Sequence, residues 1–212
     1  AMLHWERKWG QRSGKIMVRL RHKTCGAATR PRPVCKCCRE EIDARDVSWK
    51  PGPGVGLMKA SYSRRRRPSA AGPGAATTLL DDIARIIGDR WSTLILRSIF
   101  TGLNTFQEIL DDTAISTNIL SERLAELCSD GILKRVGDEA DARRAHYRLT
   151  DKGRDIYPIL LSLLAWGDLW RPSPKGPPLL LVHKNCGKPL ALEMACQSCS
   201  ENVKARDVAF EF

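Results

Sequence analysis

The sequence predicts a mainly α protein with one small β-hairpin, in which a helical domain is flanked by two small cysteine- and histidine-rich modules. Three observations lead to this prediction. A cysteine cassette occurs twice at a fixed offset, so the chain contains an internal repeat. Between the copies, apolar residues follow helical spacing, and two strand-like runs interrupt that pattern. A basic stretch rich in Pro and Gly separates the first copy from the helical segment.

The repeated cassette begins at His22 and again at His183, and 11 of the 28 residues from 22 to 49 are identical at this offset of 161 positions. No gap is needed between the copies. The same register places Trp5 and Trp9 on Trp166 and Trp170. Each copy is therefore a small module that follows a tryptophan-bearing segment.

Both cassettes have the spacing His-x2-Cys-x9-Cys-x2-Cys. Three thiolates and one imidazole form a closed structural set for Zn²⁺, and a module of about 30 residues with little apolar bulk needs metal ligation to fold. We expect one zinc-ribbon-like site in each cassette, with ligands His22, Cys25, Cys35 and Cys38 in the first and His183, Cys186, Cys196 and Cys199 in the second. Disulfides or reduced thiols are the alternative. Cys37 is interpreted as a spare thiol, although it could replace Cys38 as a ligand.

Positive charge is concentrated in the first part of the chain. Residues 1–76 contain 18 Lys and Arg against 5 acidic residues, whereas the remainder contains 17 against 19. The run from Arg64 to Arg67 lies in a Pro-, Gly-, Ser- and Ala-rich stretch that cannot bury enough apolar surface to fold. We therefore divide the chain into a helical lead-in with the first module (1–50), a basic flexible linker (51–76), a central domain (77–170) and the second module (171–212).

The central domain is predicted to begin with four helices. Residues 79–87 form a short amphipathic helix that Gly88 ends, and residues 91–100 are apolar almost all round and therefore buried. Phe106, Ile109 and Leu110 give the third helix its inner face. Ser116 caps a fourth helix that runs to about residue 129.

A hairpin and a last helix complete the domain. Residues 132–136 and 146–149 are strand-like, and the polar loop between them contains Arg143 and Arg144. Thr150 and Asp151 cap the last helix. The predicted inner face of that helix consists of Ile156, Ile159, Leu160, Leu163, Leu164 and Trp166.

Two helices joined by a short turn and followed by a hairpin make a winged helix-turn-helix, whose second helix enters the major groove of DNA. Thr117, Asn118 and Ser121 lie on the outer face of that helix, and they are small and able to hydrogen-bond to base edges or phosphates. The alternative is a solvated helix face. An arginine-tipped hairpin loop favours DNA contact, although it could also serve solubility.

These residues carry a resemblance to the HxlR-type bacterial transcriptional regulators over about residues 79–170. The resemblance rests on Ile87-Gly88-Asp89-Arg90-Trp91-Ser92, Phe106-Gln107-Glu108-Ile109-Leu110, Leu120-Ser121-Glu122-Arg123-Leu124, Asp130-Gly131-Ile132-Leu133 and Arg143-Arg144-Ala145-His146-Tyr147. It implies a homodimer on double-stranded DNA with a near-palindromic operator, in which the first and last helices form the dimer contact. The candidate DNA contacts are Ser116, Thr117, Asn118, Ser121, Arg123, Arg143, Arg144 and Tyr147.

One departure from the family concerns redox sensing, because residues 72–82 lack the cysteine that sensing members carry ahead of the first helix. The repeat also indicates descent from a tandem regulator, since residues 1–51 match the end of such a protein. Two rival interpretations remain: a zinc-ribbon module that binds a protein partner, and a thiol or metal sensor that uses Cys37 or Cys128.

Catalysis finds little support in the sequence. No Ser/His/Asp order, phosphate-binding glycine loop or open three-ligand zinc site is present, so we expect a regulator that is not an enzyme. A signal peptide and a long apolar span are likewise absent, which favours a reducing cytoplasm. The effector, if the protein has one, is not indicated.

Overall fold

The computed structural model describes residues 1–10, 18–56, 79–137 and 145–211. The helices are α1 (Met2–Trp9), α2 (Asp81–Gly88), α3 (Arg90–Phe100), α4 (Phe106–Thr113), α5 (Thr117–Ser129), α6 (Asp151–Arg154) and α7 (Tyr157–Trp170). The strands are β1 (Arg19–His22), β2 (Arg32–Cys35), β3 (Val47–Pro51), β4 (Leu133–Val136), β5 (His146–Leu149), β6 (Leu179–His183), β7 (Lys188–Pro189), β8 (Leu192–Ala195) and β9 (Val208–Glu211). Within the described ranges, none of these helices has the length and apolar character needed to cross a membrane.

Helices α2 to α5 and the β4–β5 hairpin form the predicted helix-turn-helix domain with its hairpin. Helix α3 supplies the centre of the core through Ile95 and Leu96, which are fully buried against Ile109, Leu120 and other apolar residues. The last predicted helix is broken in two, because α6 ends at Arg154 and α7 begins three residues later, at Tyr157, with a proline in its first turn. Proline fits a helix start, where its missing N–H has no intrahelical partner.

Local signals in the sequence set the start of α4 and the turn before α5. The Thr105 side chain accepts from the Glu108 backbone N–H, and the Glu108 carboxylate accepts from the Thr105 N–H, which is a complete capping box. Ala114 ends α4 in the left-handed region with φ 51°. This residue reverses the chain, so that α5 begins only three residues later at Thr117.

Helix α1 packs against this domain although it lies far away in the sequence. The Trp5 side chain is fully buried, and its indole Nε1 donates to the Lys152 carbonyl at 2.9 Å. The buried Glu6 carboxylate accepts from the Ile83 N–H at 2.9 Å, at the start of α2. The first helix of the DNA-binding domain is therefore covered on one side by the chain's own lead-in.

The two cassettes form one interlaced unit rather than the two separate modules that we predicted. Strands from the first cassette pair with strands from the second: β1 with β9, β2 with β8, and β3 with β6, all antiparallel. Only β6 and β7 pair within one cassette, among the strands of the described residues. The separate-module prediction was wrong, because most of the strand pairing runs between the cassettes.

This unit has an internal twofold relation that follows the repeat. His22 pairs with Val208 in one sheet, and His183 pairs with Val47 in another, which are the same pair under the offset of 161. The central pair, β2 with β8, places Pro33 opposite Met194, and these two residues are equivalent to each other. The two cassettes therefore associate as two copies of a small subunit would.

The described structure of the first cassette extends beyond its predicted end at residue 50. Pro51 belongs to β3, and the N–H groups of Gly52 and Gly54 donate to the carbonyls of Pro178 and Pro177. The predicted linker thus starts no earlier than residue 57, and the rest of it, with the run from Arg64 to Arg67, lies outside the described residues.

Candidate nucleic-acid interface and metal clusters

The outer face of α5 exposes the polar side chains that were predicted from the sequence to lie there. Ser116, Thr117, Asn118 and Ser121 are all exposed, while Leu120 on the opposite side is fully buried. Helix α4, fixed by its capping box, and the short turn at Ala114 hold the start of α5 against the core. The small side chains of Thr117, Asn118 and Ser121 let this part of the helix approach the edges of base pairs closely, although the exposed Glu122 carboxylate lies beside them.

A groove of about 750 Å³ runs beside the outer face of α5. A second groove, of about 410 Å³, lies between α1 and the first cassette and does not involve α5. Thr117 and Ser121 form one wall of the wider groove, and Arg135 and the half-buried Tyr147 of the hairpin form another. The structure therefore brings Tyr147 next to the α5 residues.

Arg123 does not belong with the other candidate contacts. Its side chain is only 10% exposed, and its guanidinium lies 2.6 Å from a Glu126 carboxylate oxygen and 3.2 Å from one of Asp89. Asp89 also accepts from the Ser92 N–H and so caps the start of α3. The prediction that Arg123 contacts DNA was wrong, because its guanidinium is held against the domain by the carboxylates of Glu126 and the largely buried Asp89.

The hairpin adds basic residues that the sequence analysis passed over. Lys134 pairs with Arg148 across the two strands, and both side chains are exposed, as is that of Arg135. The available signal was the presence of Lys134, Arg135 and Arg148 within the two strand-like runs. Arg143 and Arg144, which we expected at the tip, lie outside the described residues.

The eight predicted metal ligands do converge in two clusters, but each cluster draws on both cassettes. The first cluster consists of His22, Cys25, Cys196 and Cys199, and the second cluster consists of Cys35, Cys38, His183 and Cys186. Within each cluster the four ligand atoms all lie within 4.8 Å of one another. The predicted grouping of ligands by cassette was wrong, because strand pairing brings the His-x2-Cys turn of one cassette to the Cys-x2-Cys turn of the other.

Distances within the clusters match between the two. The Cys25 and Cys196 Sγ atoms are 3.9 Å apart, as are those of Cys35 and Cys186. The imidazole Nδ1 of His22 lies 3.4 Å from the Cys199 Sγ, and the Nδ1 of His183 lies 3.3 Å from that of Cys38. The twofold relation of the unit therefore extends to its ligand atoms.

The surroundings of the clusters differ at one position. Thr29 Oγ1 is 3.1 Å from the Cys196 Sγ in the first cluster, whereas the equivalent position beside the second cluster is Leu190. Burial opposes ionisation of Cys196, but hydrogen bonds from Thr29 and from the Cys199 and Ser198 N–H groups outweigh it and lower its pKa to about 6. The first cluster is thus the one with a polar neighbour that stabilises a thiolate.

The remaining cysteines are the two that the sensor hypothesis used. Burial raises the pKa of Cys128, which reduces the fraction of reactive thiolate at neutral pH. Cys37 is exposed and lies outside both clusters, whereas Cys38 belongs to the second cluster. All eight cysteines lie in the described part of the chain, and none of them forms a disulfide.

The fold and the exposed face of α5 define a winged helix-turn-helix protein, and the comparisons with known proteins agree. The family model for the HxlR-like helix-turn-helix matches residues 86–175. An uncharacterized HTH-type transcriptional regulator from Mycobacterium tuberculosis is 38% identical over 126 residues, which span 59% of this chain and 80% of that protein. YvaP from Bacillus subtilis, also an uncharacterized HTH-type transcriptional regulator, is 38% identical over 88 residues, or 40% of this chain and 80% of that protein.

A solved structure supports the same assignment. The crystal structure of PA1607, assigned as a transcription factor, is 34% identical, superposes with a TM-score of 0.52, and covers 58% of this chain and 87% of that one. The chain therefore belongs to the HxlR-like helix-turn-helix family, and it is an HTH-type transcriptional regulator.

Proposed function

We propose that this regulator recognises its operator through the N-terminal half of α5, as a dimer on a near-palindromic site. The observation that carries the proposal is the exposure of Thr117, Asn118 and Ser121 together on one face of a helix whose other face is buried. Asn118 has a donor and an acceptor on one amide, so it can make a bidentate contact with adenine. The two hydroxyl side chains suit phosphates or base edges.

The operator is identified first, by selecting the fragments of the source organism's genomic DNA that the purified protein binds. Asn118→Ala is then expected to weaken binding to the operator by about 1–3 kcal/mol and to leave binding to random DNA almost unchanged. Ser129→Ala is the matched control, because Ser129 is an exposed polar residue at the other end of the same helix. If Asn118→Ala weakens operator and random DNA equally, α5 does not read sequence.

The hairpin supplies positive charge rather than sequence recognition in this proposal. Lys134, Arg135 and Arg148 are exposed on its strands, and the loop between them carries Arg143 and Arg144. Each lost phosphate contact removes about 0.9 from the slope of log affinity against log salt concentration. Replacing Arg143 and Arg144 by Gln is expected to weaken operator and random DNA alike and to flatten that slope. An unchanged slope would remove the loop from the interface.

The dimer contact in this proposal lies on α7. This helix exposes four large apolar side chains, Leu163, Trp166, Leu169 and Trp170, to 44, 56, 69 and 66%. Such a surface on one helix is typical of a protein interface. The family resemblance also implied that the first helix of the domain, α2, takes part in the dimer contact. Because α1 covers one side of α2, we assign the contact to the exposed face of α7.

Sedimentation equilibrium tests the dimer. The protein is expected to sediment as two chains at micromolar concentration, and Trp166→Glu with Trp170→Glu is expected to give single chains with the helical content retained. Phe210→Glu is the control, since Phe210 is equally exposed but lies on β9, away from α7. A wild-type protein that sediments as one chain would end the proposal of a homodimer, whereas the assignment of α5 as the reader would stand.

The cofactor in this proposal is Zn²⁺ in a structural role, two ions per chain. Three thiolates and one imidazole suit zinc, and four protein ligands leave no position open for substrate or water. Protein purified under reducing conditions without added metal is expected to contain two zinc ions per chain by atomic spectrometry. A content near zero would contradict the proposal and leave two clusters of reduced thiols.

A further inference from the structure

We infer that each metal ion is shared between the two cassettes, so that two ions cross-link residues 18–56 to residues 178–211. This inference rests on the proposal that the clusters bind zinc, and it adds which thiols share an ion. Ligand spacing in the sequence allows either grouping. The geometry of the interlaced unit selects one of them.

The distances within each cluster fit a single tetrahedral ion. Bonds of ~2.3 Å to sulfur and ~2.05 Å to nitrogen place two sulfur ligands about 3.8 Å apart and a sulfur and a nitrogen ligand about 3.5 Å apart. The Cys25–Cys196 and Cys35–Cys186 distances are both 3.9 Å, and the imidazole Nδ1 atoms lie 3.3–3.6 Å from their neighbouring sulfurs. Both of these sulfur pairs join different cassettes.

Two further features favour ligation over a set of packed thiols. The imidazoles of His22 and His183 are almost completely buried, and their Nδ1 atoms are directed at the sulfurs. Burying a polar ring costs free energy unless its nitrogen is bonded, and a metal ion would bond it. The turn geometry also presents the sulfurs together. Gly26 and Gly187 both adopt left-handed backbone, with φ 70° and 66°, and close the two His-x2-Cys turns by the same bond from the glycine N–H to the histidine carbonyl.

The crossed arrangement gives the ions a defined mechanical role. In a cassette-by-cassette arrangement, each ion would fold one end of the chain, and only strand pairing would join the two ends. In the crossed arrangement, each ion closes a loop of more than a hundred residues, because Cys25 and Cys196 lie at opposite ends of the chain. Closing long loops removes more entropy from the unfolded chain than closing short ones.

The joined unit is packed against the DNA-binding domain. Cys35 and Ile42 of the first cassette are buried against Tyr157 and Leu161 of α7. The Trp49 indole Nε1 donates to the Thr101 carbonyl at the end of α3 at 3.0 Å. The ions therefore stabilise the interlaced unit, which both cassettes form and which packs against α7 and the end of α3.

Pairs of substitutions with the same number of lost thiols distinguish the two groupings. Cys25→Ser with Cys199→Ser removes two ligands of one crossed site, so the protein is expected to retain one zinc ion. Cys25→Ser with Cys38→Ser removes one ligand from each crossed site, and zinc content is expected to fall towards none. The cassette-by-cassette grouping makes the opposite prediction for both pairs, and Cys37→Ser, which keeps two ions, is the control.

A second measurement uses the unmodified chain and does not depend on how the variants fold. Zinc is withdrawn stepwise with a chelator while free thiols are alkylated, and the labelled peptides are identified by mass spectrometry. Release of one ion frees its three thiolates together. Cys25 is expected to be labelled in step with Cys196 and Cys199, and Cys35 and Cys38 in step with Cys186. Labelling of Cys25 in step with Cys35 and Cys38 would overturn the crossed assignment, while a zinc content near zero from the start would overturn zinc binding itself.

Discussion

Trp5 and Trp166 are equivalent positions of the repeat, yet Trp5 is fully buried and Trp166 is 56% exposed. The difference arises because α1 lies on the DNA-binding domain, whereas the matching part of α7 has no domain beside it within the described residues. Trp5 therefore contributes to the fold of a single chain, and Trp166 remains available for a contact between chains.

Trp5→Ala is expected to lower the free energy of unfolding by about 3–5 kcal/mol, since it removes a fully buried indole and the hydrogen bond to Lys152. Trp166→Ala, measured at a concentration where single chains predominate, is expected to change it by less than about 0.5 kcal/mol. Urea unfolding monitored by circular dichroism gives both values. Equal losses for the two variants would show that α1 does not hold its place on the domain in solution.

Arg123→Met is expected to destabilise the domain by about 3 kcal/mol, because it removes a cation from beside the largely buried Asp89 carboxylate. Glu122→Gln on the same helix is expected to have little effect, since its carboxylate is 59% exposed. Below its unfolding transition, the Arg123→Met protein is expected to bind operator DNA with nearly the wild-type affinity. A stable variant with poor DNA binding would restore Arg123 to the DNA interface.

The turn between α4 and α5 depends on Ala114, which has φ 51°. Ala114→Gly is expected to be neutral or to stabilise the protein by up to about 1 kcal/mol, because glycine adopts this conformation without strain. Ala114→Val is expected to destabilise it by more than that, since a β-branched side chain is poorly tolerated there. The order of the two melting temperatures checks the assignment, and a more stable valine variant would contradict the left-handed turn.

The helix-turn-helix domain was predictable because its signals are local. Thr105 and Glu108 mark the start of α4, and the apolar spacing around Leu120 and Leu124 marks the inner face of α5. Arg123 was misjudged for a different reason. Its position beside the polar face was correct, but its partner Asp89 is distant in sequence, so only the tertiary structure shows that the guanidinium is buried.

The two clusters also depend both on local sequence signals and on contacts between distant parts of the chain. The sequence predicted all eight residues of the clusters, because each His-x2-Cys or Cys-x2-Cys pair closes within its own turn. It did not predict which pairs meet. That choice depends on β1 joining β9 and β3 joining β6, and two cassettes with the same ligand spacing offer the same local signals for either outcome.

The last prediction concerns the difference between the clusters at Thr29. Its Oγ1 lies 3.1 Å from the Cys196 Sγ and also accepts from the Gln197 N–H at 3.2 Å, so it both orients the thiolate and braces the turn that carries it. Hydrogen-bond partners of metal ligands typically contribute a factor of about 10–100 in affinity.

Thr29→Val is therefore expected to weaken zinc binding at the first cluster by about 10–100-fold and to leave the second cluster unchanged. Competition with a chromophoric chelator measures both affinities, and the Cys25→Ser, Cys199→Ser protein identifies which one belongs to the second cluster. Leu190→Val at the equivalent position is the matched control, because no hydroxyl is lost there. If Thr29→Val weakened the second cluster instead, Thr29 would not serve the site that contains Cys196.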